Sequence, residues 1–124
     1  MGVRIFKNRE FSRFARKEKI SNEKLIEAIK NVDAGLIDAN YGGGVIKQRI
    51  SRPGEGKSGG YRSIILYRQG DKAFFVYGFA KNELDNIEKT EERDFKKLAK
   101  IMFALPDEQL NVLLNAGKIE EVTS

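Results

Sequence analysis

Residues 61–79 constrain this chain more than any other stretch. Ile64, Ile65 and Leu66 form the apolar centre of residues 61–68, and residues 73–79 are aromatic and β-branched in character. Gln69, Gly70 and Asp71 stand between them as a turn. That pattern predicts a β-hairpin.

Residues 3–6 are short and apolar, fitting a first strand. Asn8 is placed to cap a helix over 8–19, with Phe11, Phe14 and Ala15 on one face and Arg9, Arg13, Arg16 and Lys17 on the other. Ser21 caps a second helix whose apolar stripe is Leu25, Ile26, Ile29 and Val32, and Gly35 is placed to end it. Two such helices in succession suggest a helical hairpin packed on something flat. Residues 45–50 read as a strand and 51–60 as a long loop. A helix from Glu91 carries Phe95, Leu98, Ala99 and Met102 on one side. Pro106 breaks it and starts a shorter helix with Leu110, Leu113 and Leu114, closed by Gly117. Residues 119–122 fit a small terminal strand. The order β-α-α-β-β-β-α-α predicts an α+β fold, a mostly antiparallel sheet with helices on it.

At 124 residues the chain suits one domain with one core, so 1–124 is read as a single unit. No run approaches the roughly 18 apolar residues of a membrane span. The first residues lead straight from Phe6 into Lys7, Asn8, Arg9 and Glu10, unlike an export signal. A cytoplasmic location without membrane contact is therefore expected. Cysteine and histidine are both absent. Their absence excludes disulfides, thiolate or His-bound zinc, and every triad built on His. Any chemistry must come from Lys, Arg, Tyr, Asp, Glu or backbone groups, and no cofactor or metal is expected.

The net charge of +5 is unevenly spread. Residues 1–20 hold seven basic and two acidic side chains, and residues 41–82 hold eight and two. Residues 21–40 and 83–124 are net acidic. Two basic blocks suggest a polyanionic partner. The second contains Lys47, Arg49, Arg52, Lys57, Arg62, Arg68, Lys72 and Lys81, with Glu55 and Asp71 as the nearby acids. Strand alternation puts Lys47 and Arg49 on one side and Ile46 and Ile50 on the other.

The segment Gly54-Glu-Gly-Lys-Ser-Gly59 matches G-x-G-x-x-G letter for letter, but a dinucleotide site also needs a βαβ unit, and here a strand follows. Gly56-Lys57-Ser58 resembles the end of a P-loop, yet position 51 is serine and again no helix follows. What survives is a glycine-rich loop that lets backbone N–H groups and Lys57 approach a phosphate. A flexible hairpin loop is the equally simple reading. Of the hairpin aromatics, most belong in the core. Phe79, beside Gly78 and just before Lys81, is the best candidate to stack on a base.

Gly56-Lys-Ser-Gly-Gly-Tyr-Arg62, an apolar strand, then Phe75-Val-Tyr-Gly-Phe-Ala-Lys81 together resemble the RelE family of toxin–antitoxin toxins, most of all its HigB-like branch. The resemblance extends from the first strand to about Leu98, with a familiar tail from Leu110 to Val122. It implies a twisted antiparallel sheet with the N-terminal helix pair packed on it. It also implies messenger RNA cleavage in the ribosomal A site, so the ribosome is a partner. Neutralisation would come from an antitoxin carrying a helix-turn-helix DNA-binding domain. Arg62 matches the arginine on the scissile phosphate, Lys57 a catalytic lysine, and Lys81 the basic residue on the leaving-group side. Lys47, Arg49, Arg52, Phe79 and Asn82 complete the expected RNA-binding set. Several members carry a tyrosine a few residues beyond the match to Lys81, where this chain has Asp85-Asn86-Ile87; Phe79 is expected to stack in its place.

Without histidine, the expected reaction is metal-independent attack of a 2′-hydroxyl on the adjacent phosphate. Fixed cations then stabilise the charge of the phosphorane. Lys57 serves either as base or as electrostatic clamp, and the clamp asks less of it, because a protonated lysine is a poor base. Two readings stay open beside this one, a ParE-like poison of DNA gyrase and a non-catalytic RNA-binding module.

Overall fold

The computed structural model describes residues 3–51, 60–81 and 86–124. β1 (Arg4–Asn8) runs straight into α1 (Arg9–Glu18). Asn8 both closes the strand and caps the helix, its Oδ1 accepting the Phe11 N–H at 2.8 Å. Ser21 caps α2 (Asn22–Asp33) by accepting the Lys24 N–H, and Gly35, at φ 86°, turns the chain out of it.

Next comes β2 (Ala39–Gly42), which the apolar pattern did not announce. It is an edge strand of half-buried and exposed residues, defined by pairing with β3 (Val45–Ile50) rather than by composition. The order expected from sequence is corrected by this one strand. β4 (Tyr61–Arg68) and β5 (Lys72–Ala80) form the predicted hairpin around residues 69–71. α3 (Lys89–Ala104) begins two residues earlier than its apolar period, where the Glu91 carboxylate accepts the Glu88 N–H. α4 (Asp107–Asn115) follows Pro106, and β6 (Ile119–Glu121) ends the fold.

The six strands make one sheet in the order β2-β3-β4-β5-β1-β6. All neighbours are antiparallel except β1 and β5. On one face, Phe11 and Ala15 of α1 and Leu25, Ile29 and Val32 of α2 cover Ile46, Ile50, Ile65 and Phe75. On the other, Ala99 of α3 and Leu110 of α4 join Val45, Ile64, Leu66 and Phe74. With both faces covered, β4 and β5 carry consecutive apolar residues instead of strict alternation. Among the described residues no helix is long and apolar enough to cross a membrane.

The hairpin contains one irregularity that matters. Tyr77 opposes Ile64 while Phe75 opposes Ile65, so Val76 is an extra residue in β5. Beyond this bulge the alternation is reset, and Tyr77 and Phe79 join the α3 and α4 face.

Candidate functional site

The register of β3, β4 and β5 sets three side chains in a row. Arg49 opposes Arg62, and Arg62 opposes Phe79. Directly opposed residues share a face, and these share the α3 and α4 side of the sheet. Lys47, two residues from Arg49, lies on the same face.

Arg62 is only 6% exposed. Its Nη1 donates to the Tyr61 carbonyl at 3.3 Å. Its Nε, and that of Arg49, are buried without a hydrogen-bond partner among the described residues. Among the described residues, Asp38, from the connection between α2 and β2, places a carboxylate against this group. Its Oδ2 lies 3.3 Å from Arg62 Nε and 3.6 Å from Lys47 Nζ, ion-pair contacts that lack good hydrogen-bond geometry at the guanidinium. Asp38 is held in turn by Gln48, 4% exposed, whose Oε1 accepts the Asp38 N–H at 3.1 Å. The Gln48 amide donates to the carbonyls of Leu36 and Ala28, at 2.8 and 3.4 Å.

Lys81 follows the last residue of β5, and its N–H donates to the Gly60 carbonyl at 3.2 Å. It therefore lies two residues beyond the partner of Arg62, about 7 Å along the strand. Arg62 and Lys81 stand at the same end of the hairpin.

The basic block does not form one cluster. Arg68 and Lys72 sit at the turn end, paired with Asp71 at 3.7 and 2.9 Å, and Arg68 also covers the Phe103 ring. Asp38 belongs by sequence to the net-acidic stretch 21–40, and the fold brings it to the basic block. Phe79 is 6% exposed, with its ring against Tyr77 at 5.8 Å between centroids. This corrects the expectation of an open stacking platform. Its side chain completes the core beside Arg62. Arg52, Lys57 and Asn82 lie outside the described residues.

Tyrosine is one candidate for acid–base work in a chain without histidine. Burial pushes the hydroxyls of Tyr41 and Tyr77 up, with acidic neighbours adding to the shift. Burial and the hydrogen bond to Asp33 push Tyr67 up to about 12. None of these three is a tyrosinate at neutral pH. Among the described residues, no group of three or more carboxylates is placed to hold a metal ion. What the arrangement offers chemically is a small, partly buried positive field that can attract an anion.

The model of the RelE toxin of the RelE/RelB toxin–antitoxin system matches residues 3–122. The chain belongs to the RelE toxin family. No curated protein matches it. Membership makes it a toxin of a type II toxin–antitoxin system, with a RelB-type antitoxin as the partner that the family name implies. The α+β architecture, with N-terminal helices, a mixed and mostly antiparallel six-stranded sheet and C-terminal helices, is consistent with a RelE fold.

Proposed function

We propose that this RelE-family toxin cleaves messenger RNA in the ribosomal A site. The 2′-hydroxyl attacks the adjacent phosphate, giving a 2′,3′-cyclic phosphate and a free 5′-hydroxyl. The observation that carries the reading is the opposed pair Arg49 and Arg62, each with a buried Nε that makes no hydrogen bond among the described residues. Two like charges facing each other on paired strands are unfavourable by themselves, and an anion between them reverses the sign.

In this reading Arg62 binds the scissile phosphate through its planar fork and stabilises the phosphorane more than the ground state. Arg49 and Lys47 extend the positive field. Lys81, at the same hairpin end, neutralises or protonates the departing 5′-oxygen. Lys57, on the connection between β3 and β4, serves as a further clamp, and Arg52 and Asn82 contact the RNA backbone. Phe79 backs Arg62 from β5. No described side chain is an obvious strong base, so in-line placement of the 2′-hydroxyl by the ribosome supplies much of the acceleration. The HigB-like resemblance adds an antitoxin with a helix-turn-helix domain.

The test is to map 5′ ends of a defined messenger RNA, free and on ribosomes, with wild type and Arg62→Ala. Cleavage is expected on the ribosome-bound message, reduced on the order of 10² to 10³-fold by the substitution. Equal cleavage of naked RNA, or a full rate from Arg62→Ala, overturns the proposal. Growth arrest without new RNA ends would point instead to a gyrase-type target.

A further inference from the structure

We propose that Asp38 is the positioning residue of the phosphate site. It acts through Arg62 and Lys47 without touching the RNA. This rests on the RNA-cleaving reading above.

Lys47 and Arg62 come from adjacent strands and, with Arg49, put three positive side chains on one small patch of sheet. Left alone they repel, and the long side chains of lysine and arginine relieve repulsion by swinging into water. A carboxylate shared between two of them opposes that motion. Asp38 Oδ2 reaches both, at 3.3 Å to Arg62 Nε and 3.6 Å to Lys47 Nζ.

Asp38 itself is not free to wander. Its N–H is fixed by the side chain of Gln48, and Gln48 is a buried amide tied to the carbonyls of Leu36 and Ala28. The Gln48 backbone carbonyl also accepts from the Ser63 hydroxyl, at 3.0 Å, which ties this position to β4 beside Arg62. A surface loop carrying an incidental ion pair has no need of such an anchor. A buried, fully engaged glutamine behind an exposed aspartate is the construction expected where the aspartate must hold one position.

Positioning predicts a split that simple structural damage does not produce. Removing the negative charge makes the patch more cationic, so RNA binds at least as tightly, while looser placement of Arg62 slows the chemical step. The experiment compares wild type, Asp38→Asn and Asp38→Glu on ribosome-bound message under single-turnover conditions. RNA affinity is measured with a noncleavable 2′-deoxy analogue, and folding by thermal denaturation. Asp38→Asn is expected to lose roughly 10- to 100-fold in rate, with unchanged or tighter affinity and an unfolding midpoint near wild type. Asp38→Glu is expected to recover part of the rate. An unchanged rate in Asp38→Asn, or a loss of rate together with weaker binding, overturns the role of Asp38. Inactive wild type overturns the RNA-cleaving reading instead, so the two failures are distinct.

Discussion

Arg49 and Arg62 stand directly opposite each other on β3 and β4, and each keeps a buried Nε that makes no hydrogen bond among the described residues. The pairing is poor for stability and good for holding an anion. Arg49→Leu should therefore separate the two properties. Removing one of two opposed like charges is expected to raise stability by roughly 0.2–1 kcal/mol. The same change should weaken RNA binding and reduce its salt dependence. Chemical denaturation and a salt titration of RNA affinity check the two halves. A variant that is less stable and binds RNA as well as wild type contradicts the assignment.

Gly78 lies where α1 crosses β5, under the Phe14 ring. A Cβ built there would stand 2.4 Å from Phe14 Cδ2 and 2.5 Å from Cε2. Phe14 is wedged edge-on against Tyr61 and tilted against Phe11, so its ring has little room to yield. Gly78→Ala is expected to cost about 1–3 kcal/mol by overpacking. The unfolding midpoint should fall by several degrees in thermal denaturation. Gly70→Ala, at a turn with open space around it, should show only the smaller strain of its positive φ.

Arg4 and Glu121 tie β1 to β6 with two hydrogen bonds, of 3.0 and 2.9 Å. The hydrogen bonds from Arg4, reinforced by its charge, hold the Glu121 carboxyl below the ordinary glutamate range. A carboxyl whose pKa is lower in the folded than in the unfolded chain gives stability that is full above the unfolded value. That stability is lost as pH falls through the folded one. Both side chains are about a third exposed, so solvent screening holds the contribution to about 0.5–1 kcal/mol. Urea denaturation of wild type should weaken below about pH 4.3, and Glu121→Gln should remove that part of the slope. Identical slopes in the two proteins would show that the pair contributes nothing.

Much of the fold was legible because its signals are local. Asn8 and Ser21 announce helix starts by side-chain chemistry, Gly35 and Gly117 mark ends, and residues 61–79 read as a hairpin. β2 was not legible, since an edge strand of Ala-Asn-Tyr-Gly carries no apolar alternation. For the site, the alternation of β3 correctly placed Lys47 and Arg49 on one side. Asp38 was invisible because nothing in an acidic stretch after a helix says which cation it will meet.

By itself the sequence determined which chemistry is open to this protein. With no histidine or cysteine, residue type alone confines any chemistry to Lys, Arg, Tyr, Asp, Glu or backbone groups, and cations are concentrated around one hairpin. Only the tertiary structure decided which of those cations meet. Strand register put Arg49 against Arg62, and the extra residue at Val76 carried Phe79 onto their face. A loop fixed by Gln48 brought Asp38 to Arg62 and Lys47. Those are long-range pairings, and a single residue of slip in any strand would send the same side chains to opposite faces.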